Sequence, residues 1–471
     1  MADNLRRTPL SWAAGEGRDE VVKLLLGCPN VNPNMADEVG RTPLLWAAER
    51  GHHRVVRLLL GREDVNPNTP DNHGQTPLWW ATVKGHDEVV KLLLKCQKVN
   101  PNITNHAGRT LFWCAVESGH FAVVQLLLGR EDVNPNIPGD HDRTPLSWAA
   151  KEGHDELVRL LLKCQKVNPN ITDEDDRTPL WWAAARGQFG IVQLLLGRED
   201  INPNIPNCYG LTPLLWAARE GHVEVVKVLL RYRNVDPNIT DLSVQTPLWR
   251  AAERDHFAVV QLLLECQDIN PNIPNCYGLT LLSWAAREGH DKVVKLLLKY
   301  PKVNPNITDQ AGETALLLAA EKGHGRAVKL LLEGKDITPD IQNMFGNTPL
   351  SMAAKFGYDG VVKLLLKCQK VNPNMTGWAG RTPLWLAAEG GHFGVVQLLL
   401  EHEDVNPNIP NCYGQTPLSW AAANGNDDLV QLLLAHQRVN PNIRDWRVSL
   451  TPNERVLDLV QALQSANPNA G

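Results

Sequence analysis

The sequence has no long apolar run and little net charge. Its apolar stretches are short, among them the segments Val-Val and Leu-Leu-Leu, and the first ten residues, MADNLRRTPL, contain no apolar core. Since a membrane-spanning helix needs about 20 mostly apolar residues, we expect neither a membrane span nor a signal peptide. The net charge of −5 argues against nucleic-acid binding driven by overall charge, and 43% hydrophobic residues argue against disorder.

Motifs of common catalytic and nucleotide-binding sites are also missing. There is no GxxxxGK phosphate loop, no HExxH, no GxSxG and no GxGxxG after a predicted strand. Carboxylates are frequent, but many recur in Gly-Arg-Glu-Asp segments at 61–64, 129–132 and 197–200, as expected for a solvated, salt-bridged face. We therefore predict a protein that is not an enzyme and has no cofactor and no metal site.

Phenylalanine and tyrosine are scarce, with 7 and 6 residues, whereas tryptophan is abundant, with 15. The excess reflects a repeat, because one threonine recurs at intervals of 34 residues: Thr8, Thr42, Thr76, Thr110, Thr144, Thr178, Thr212, Thr246, Thr280, Thr314, Thr348, Thr382 and Thr416. Thirteen copies in one register leave no space for linkers, so we predict a single array over residues 1–471. A degenerate fourteenth unit at 445–471 has the pattern of a C-terminal capping repeat with a polar outer face.

Each copy reads approximately TPLxWAAxxGHxxVVxLLLxxxxVNPNIxxxxGx. Thr followed by Pro indicates an N-cap and a first helical residue. The short helix that follows ends at a glycine in twelve of the thirteen copies, with Asp255 as the exception. Val-Val-x-Leu-Leu-Leu is typical of a second apolar helix, which Val-Asn-Pro-Asn ends. Each repeat is therefore predicted to be a helix, a turn, a second helix and a hairpin-like loop.

In this order, TPLxxAA, GHxxVVxLLL and VN resemble the ankyrin repeat over essentially all 471 residues. Two features depart from the family pattern: the usual His after TPL is here Ser, Leu or Trp, and each unit has 34 residues where about 33 is usual. The resemblance implies an all-α ankyrin-repeat solenoid that binds protein partners along a concave groove.

The segment TPLSWAA is similar to segments of fungal ankyrin arrays, which often follow a nucleotide-binding module. The resemblance therefore also implies an alternative function. In that alternative the chain is the sensor region of a nucleotide-driven, NACHT-like switch whose NTPase module is not in this chain.

Most histidines and cysteines recur at fixed positions of the 34-residue repeat. Nine of the 15 histidines, from His52 to His392, occupy the position after the helix-ending residue, and we interpret them as helix-terminal hydrogen-bonding residues rather than metal ligands. Cysteines that share a register are at least two repeats apart, roughly 20 Å at about 10 Å per layer, whereas a disulfide needs Cα atoms within about 7 Å. Nine reduced thiols suggest a cytoplasmic protein, which we expect to be monomeric.

Thirteen of the 15 tryptophans occupy two adjacent positions of the first helix, counted from the repeat Thr. Eight stand at the fourth following residue and are predicted to fill the core: Trp12, Trp46, Trp80, Trp148, Trp182, Trp216, Trp284 and Trp420. Five stand at the third residue, where the family has His, and for these the sequence leaves both packing and partner contact open: Trp79, Trp113, Trp181, Trp249 and Trp385.

Positions that vary from one repeat to the next indicate further candidate contact residues. The residue before the repeat Thr is Arg in five of the first six copies, and in the ankyrin family this position and the two residues before Gly-His face the groove. An arginine stripe suits an acidic partner surface, although a solvated edge accounts for it at least as well. The candidate partner-binding set is Arg41, Trp79, Lys84, Arg109, Trp113, Arg143, Lys151, Arg177, Trp181, Arg186, Trp249 and Trp385.

The eighth and tenth copies depart most from the repeat pattern. The eighth carries Arg250 and Asp255, and the tenth carries Ala315 and the segment Ile337-Thr338-Pro339. In a stack whose units contact only their neighbours, such copies are predicted local weak points.

Overall fold

The computed structural model of the chain describes residues 6–105 and 108–443. These residues form 26 α-helices in pairs, and the β-type pairing among them is one isolated bridge between Thr104 and Thr110. The fold is therefore the predicted all-α solenoid of helix, turn, helix and loop. The predicted capping unit, 445–471, lies outside the described residues.

The first helix of each pair begins directly after the repeat Thr. These helices are Pro9–Gly15 (α1), Pro43–Glu49 (α3), Pro77–Val83 (α5), Leu111–Glu117 (α7), Pro145–Glu152 (α9), Pro179–Ala185 (α11), Pro213–Glu220 (α13), Pro247–Glu253 (α15), Leu281–Glu288 (α17), Ala315–Glu321 (α19), Pro349–Lys355 (α21), Pro383–Glu389 (α23) and Pro417–Ala423 (α25). In all of them the Thr side chain accepts a hydrogen bond from the third helical N–H, as Thr42 does from Leu45 N at 3.3 Å.

The second helices carry the Val-Val and Leu-Leu-Leu segments. They are Asp19–Leu26 (α2), His53–Leu60 (α4), Asp87–Lys95 (α6), Phe121–Leu128 (α8), Asp155–Leu162 (α10), Phe189–Leu196 (α12), Val223–Arg231 (α14), Phe257–Glu265 (α16), Asp291–Leu297 (α18), Gly325–Leu332 (α20), Asp359–Leu366 (α22), Phe393–Glu401 (α24) and Asp427–Leu434 (α26). Two loops contain a single 3-10 turn, at Asp140–Asp142 and Trp378–Gly380.

The chain divides into two compact units, unit 1 (Met1–Leu242) and unit 2 (Ser243–Gly471). In unit 1 the first helices pack side by side in chain order from α1 to α13. In unit 2 α17, α19, α21, α23 and α25 form such a row, and the second helices α16 to α26 form another. That residues 1–471 are one continuous array stays a prediction from the repeat register.

The core of each unit lies between its first and second helices. In the second repeat Leu44, Ala47 and Ala48 of α3 and Val56 of α4 are at most 1% exposed. The paired alanines let the neighbouring helix approach closely, and the branched side chains fill the space between the two rows.

A side-chain clip joins successive loops, and sequence reasoning missed it. The second Asn of Val-Asn-Pro-Asn bonds to the backbone of the next repeat with both of its polar atoms. Asn204 Nδ2, for example, donates to Asn234 O at 2.6 Å, and its Oδ1 accepts from Asp236 N at 3.0 Å. In the tenth copy Asp340 holds this position, and it accepts from Asn372 N at 2.7 Å but cannot donate when ionised.

Candidate functional site

The five third-position tryptophans are buried, with 2–5% of each residue exposed. Two of them bond to the next repeat: Trp113 Nε1 donates to Arg143 O at 3.2 Å, and Trp181 Nε1 donates to Leu211 O at 3.0 Å. Of the two interpretations that the sequence left open, the structure shows packing. Trp79, Trp249 and Trp385 share this burial, so all five offer almost no surface to a partner.

The fourth-position tryptophans are not core residues, and the prediction that they fill the core is wrong. Trp12 is 43% exposed, and the other seven are half-buried. The reason is side-chain size, since the aliphatic residues that hold this position in unit 2, Leu318, Met352 and Leu386, are only 3–6% exposed. An indole is larger than the space that Leu or Met fills, so its outer part reaches the surface.

An aspartate in the preceding loop fixes the orientation of three of these indoles. Asp37 Oδ1 accepts the backbone N–H groups of Val39 and Arg41 at 3.1 and 2.8 Å, which shapes the loop. Its Oδ2 accepts from Trp46 Nε1 at 3.0 Å. The same indole bond recurs at 2.9–3.0 Å in Asp71–Trp80 and Asp173–Trp182. Sequence reasoning missed these contacts, whose signal is Asp five residues before the Thr with Trp four residues after it.

Arginines alternate with these indoles along the start of unit 1. The guanidinium carbon of Arg7 lies 3.5 Å from the ring centroid of Trp12, and that of Arg41 lies 4.8 and 5.0 Å from the centroids of Trp46 and Trp80. Cation–π contacts of this kind contribute roughly 0.5–1 kcal/mol each at exposed sites. They hold flat aromatic and cationic groups in fixed positions at the surface.

We call this surface the groove strip: the residue before each repeat Thr together with the fourth, seventh and eighth residues after it. Several arginines of the strip are paired within the chain. Arg41 Nη1 lies 2.9 Å from Glu49 Oε2, and Arg109 Nη1 lies 3.1 Å from Glu117 Oε2. Further ion pairs are Arg109–Asp140, Arg177–Asp173 and Arg177–Asp175. The charge of these arginines is therefore balanced before any partner binds.

One part of the groove strip keeps an excess of positive charge. Arg143 and Lys151 occupy the two positions at which other repeats pair Arg with Glu, and Arg186 stands in the next repeat. Burial lowers the pKa of Lys151, and the charges of Arg143 and Arg186 lower it as well, whereas Glu152 at 3.7 Å opposes that change. Lys84 is a further exposed cation of the strip, 5.8 Å from the Trp80 ring centroid.

Unit 2 has the opposite arrangement at the same two positions, where Glu313 and Glu321 stand. Burial raises the pKa of Glu313, and the charges of Glu321 and Asp309 raise it too. Asn343 Nδ2, which donates to Glu313 Oε1 at 3.0 Å, opposes this rise. An ionised Glu313 is thus disfavoured relative to an ordinary surface glutamate.

Histidines after the helix-ending glycine bond to helix ends, as predicted, but the helix belongs to the preceding repeat. His52 Nε2 lies 3.0 Å from Gly15 O, at the end of α1. The same contact, at 2.9–3.2 Å, joins His86 to Glu49 O, His120 to Val83 O, His222 to Ala185 O and His392 to Lys355 O. Within the described ranges no three His, Cys, Asp or Glu side chains are grouped as metal ligands would be.

All nine cysteines are free. Cys114, which replaces a first-helix tryptophan, is buried, and burial raises the pKa of its thiol to about 12, with Glu117 adding to the effect. This group is therefore protonated at neutral pH and is a poor nucleophile.

Loop tips expose large apolar side chains, which sequence reasoning also missed. These residues are 37–70% exposed: Tyr209, Tyr277, Met344, Phe345, Trp378 and Tyr413. Backbone bonds connect neighbouring tips, since Met344 N donates to Ala311 O at 2.9 Å and Cys412 N donates to Ala379 O at 2.8 Å. Within unit 2 the tips of successive loops are therefore adjacent.

No helix in the described part of the chain combines the length and the apolar character that crossing a bilayer requires. A comparison with curated proteins gives no match. Two solved structures are similar to parts of the chain. The ankyrin repeat domain of Bcl-3, a unique member of the IkappaB protein family, is 26% identical with a TM-score of 0.44, over 47% of this chain and 98% of that one. The ankyrin repeat protein EF0377 is 28% identical with a TM-score of 0.38, over 40% of this chain and 97% of that one.

The family model for ankyrin repeats, which spans three copies, matches residues 10–105, 97–173, 163–241, 234–309, 300–377 and 367–445. Ankyrin repeats are in general protein–protein interaction modules. Nothing in these matches supports the alternative of a nucleotide-driven switch. Because successive matches cover the sequence from residue 10 to residue 445, the chain belongs to the ankyrin repeat family.

Proposed function

We propose that this chain is a scaffold that binds protein partners along the groove strip and has no catalytic activity of its own. The observation that carries this function is the difference between indole and aliphatic side chains at the fourth position. Leu318, Met352 and Leu386 satisfy the fold there while staying buried. A tryptophan at that position therefore adds surface that the fold does not need.

The chemistry of the groove strip supports the same conclusion. Tryptophan and arginine are enriched among the residues that dominate binding energy in protein interfaces. In unit 1 these side chains are already held, the indoles by aspartates such as Asp37 and the guanidiniums by the rings themselves. Fixed side chains lose less conformational entropy on binding than free ones, which favours affinity.

The test is to remove exposed indole surface without removing the fold. In the intact chain, Trp148→Leu and Trp182→Leu introduce a residue that the chain itself uses at this position. Proteins captured by the unaltered chain should be lost from the double variant. The matched control replaces two exposed aromatic residues of second helices, Phe121 and Phe189, by Leu; they are 46% and 53% exposed.

Capture that survives Trp148→Leu with Trp182→Leu but is lost in the Phe121 and Phe189 variants would move the binding surface to the second helices.

A hydrolase or transferase activity of the purified chain that one point mutation abolishes would contradict the non-catalytic role. Calorimetry with ATP or GTP should show no binding to the isolated chain, and light scattering should give the mass of a monomer. We further propose a cytoplasmic location, which imaging of the tagged chain tests.

A further inference from the structure

A charged pair recurs on the groove strip across a spacing of eight residues. The residue before the repeat Thr pairs with the seventh residue after it in Arg41–Glu49 at 2.9 Å, Arg109–Glu117 at 3.1 Å and Arg381–Glu389 at 3.0 Å. Three independent copies bring these side chains into contact, so the backbone of the repeat directs both positions towards each other.

The fifth repeat breaks this pattern, because Arg143 and Lys151 place two positive charges at the paired positions. Arg186 adds a third cation, which is near enough to lower the pKa of Lys151. Among the described residues neither Arg143 nor Arg186 forms an ion pair, and the buried Nε of Arg143 has no hydrogen-bond partner. An acidic group also contacts this cluster, since Glu152 Oε1 lies 3.7 Å from Lys151 Nζ.

Indole rings border this cluster. The Nζ of Lys151 lies 4.9 Å from the Trp182 ring centroid, and Trp148, which stands between Arg143 and Lys151 in the sequence, stacks on His154 at 5.0 Å. Partly buried cations beside aromatic surface are less well solvated than cations in open water. An anion that binds there is attracted more strongly than at an open surface site.

We propose that Arg143, Lys151 and Arg186 receive a carboxylate from an acidic segment of the partner protein. This assignment rests on the function proposed above and names the chemistry that the partner presents. Arginine forms paired hydrogen bonds with a carboxylate, and the bound anion completes the ion pair that three other repeats make internally. A nucleic-acid strand fits less well, since neighbouring arginines such as Arg109 and Arg177 are already paired and the chain carries a net charge of −5.

The test uses a phage library of random twelve-residue peptides selected on the intact chain. Selected peptides should contain Asp or Glu at a fixed position, and their affinity, measured by fluorescence anisotropy, should fall about tenfold or more in Lys151→Glu. A peptide in which that acidic residue is replaced by Lys should recover binding to the Lys151→Glu variant.

The variant is expected to fold, because Lys151→Glu rebuilds with Arg143 the ion pair that Arg109 makes with Glu117. Its thermal midpoint should not lie below that of the unaltered chain. Arg159→Glu is the control, since it makes the same charge change on an exposed position of α10 in the same repeat. Arg159→Glu should leave peptide affinity unchanged.

Selected peptides without an acidic residue, or an affinity indifferent to Lys151→Glu, would overturn the carboxylate site. If such peptides still require Trp148 and Trp182, the groove strip remains the binding surface and only this inference fails. If no selected peptide depends on Trp148 or Trp182, the proposed function fails with it. A single-stranded DNA oligonucleotide that binds as tightly as the peptides, and loses affinity in Lys151→Glu, would overturn the carboxylate in favour of phosphate.

Discussion

Units 1 and 2 share their buried residues and differ on the groove strip. Both have the Thr caps, the alanine pair and the Val-Val and Leu segments of the second helices. Unit 1 has six fourth-position tryptophans and five arginines before the repeat Thr, whereas unit 2 has two such tryptophans and one such arginine. Different positions of the same repeat therefore determine the fold and the surface of this protein.

The loop tips differ in the opposite direction. Unit 2 carries most of the exposed apolar tips, among them Tyr277, Met344 and Trp378. In unit 1 the tip residues His141 and Glu174 instead form a hydrogen bond of 2.7 Å between Nδ1 and Oε1. Unit 1 thus concentrates aromatic surface on its first helices and unit 2 concentrates it on its loops. Different partner segments are expected to suit the two units.

The largest expected effect concerns the shared core. Trp181→Ala in unit 1 and Trp385→Ala in unit 2 should each lower the free energy of unfolding by about 3–5 kcal/mol, as truncation of a buried indole usually does. Since a repeat stack unfolds by parts, hydrogen exchange of α11 and α23 amides is the appropriate measurement. Near-equal losses are expected, although Trp181 also loses its bond to Leu211 O while Trp385 Nε1 has no such partner to lose.

The control for these variants is Trp148→Leu, which changes a fourth-position tryptophan, in α9, rather than a third-position one. Because Leu fits this position in unit 2, the loss should stay below about 1.5 kcal/mol. A loss as large as that of Trp181→Ala would abolish the distinction between third-position core and fourth-position surface.

The loop clip gives the next largest effect. Asn204→Asp in unit 1 keeps the acceptor for Asp236 N but removes the donor to Asn234 O, and should cost about 1–3 kcal/mol. Asp340→Asn in unit 2 is the reverse change and should stabilise the tenth repeat. Burial raises the pKa of Asp340, which is consistent with a carboxylate in a place suited to an amide. Urea unfolding at pH 7 checks both, and equal effects of one sign would contradict the clip.

Local features of the repeat could be predicted from the sequence. Thr and Pro fix the helix start, a glycine fixes its end, and these signals act within a few residues, so the helix pairs were predicted correctly. The histidine contacts were likewise predicted as helix-terminal bonds.

Features that depend on contacts between repeats could not be predicted in the same way. The prediction that Trp46 and its equivalents fill the core was wrong because it did not account for the size of the indole. Whether an indole fits a space sized for Leu depends on the neighbouring helix, which the sequence does not specify. The Asn204 clip and the Arg41–Glu49 pair likewise connect residues that are distant along the chain.

Helix-ending residues provide a third, smaller effect. Asp255 has a φ of +59°, a conformation that glycine adopts without strain, so Asp255→Gly should stabilise unit 2 by roughly 0.5–1 kcal/mol. In unit 1, Gly119→Asp at a φ of +69° should cost a similar amount, because nothing lies within 4 Å of the added Cβ. Gly51→Asp should cost more, since its Cβ would come within 2.7 Å of His86 Nδ1. Thermal unfolding checks the order, and equal costs at Gly51 and Gly119 would exclude the histidine contact as a cause.

The smallest effect, a few tenths of a kcal/mol for a half-exposed group, concerns pH and the like-charged pair of unit 2. The raised pKa of Glu313 means that the folded state binds more protons than the unfolded state from about pH 4.3 up to that raised value, so stability falls as pH rises through this interval. Glu313→Gln replaces the ionisable carboxyl group by a neutral amide, whose oxygen can still accept the hydrogen bond from Asn343. The variant should therefore match the unaltered chain at pH 4 and exceed it in thermal midpoint by pH 7.

The lowered pKa of Lys151 in unit 1 gives the opposite slope, since stability there rises with pH as the folded state loses its proton before the unfolded state does. In both units the neighbouring like charge disfavours the charged form of the group, Glu313 in unit 2 and Lys151 in unit 1. A gap between Glu313→Gln and the unaltered chain that shrinks from pH 4 to pH 7 would contradict this account. A gap that widens would show that unit 2, like unit 1, carries charges on its groove strip that its own fold does not favour.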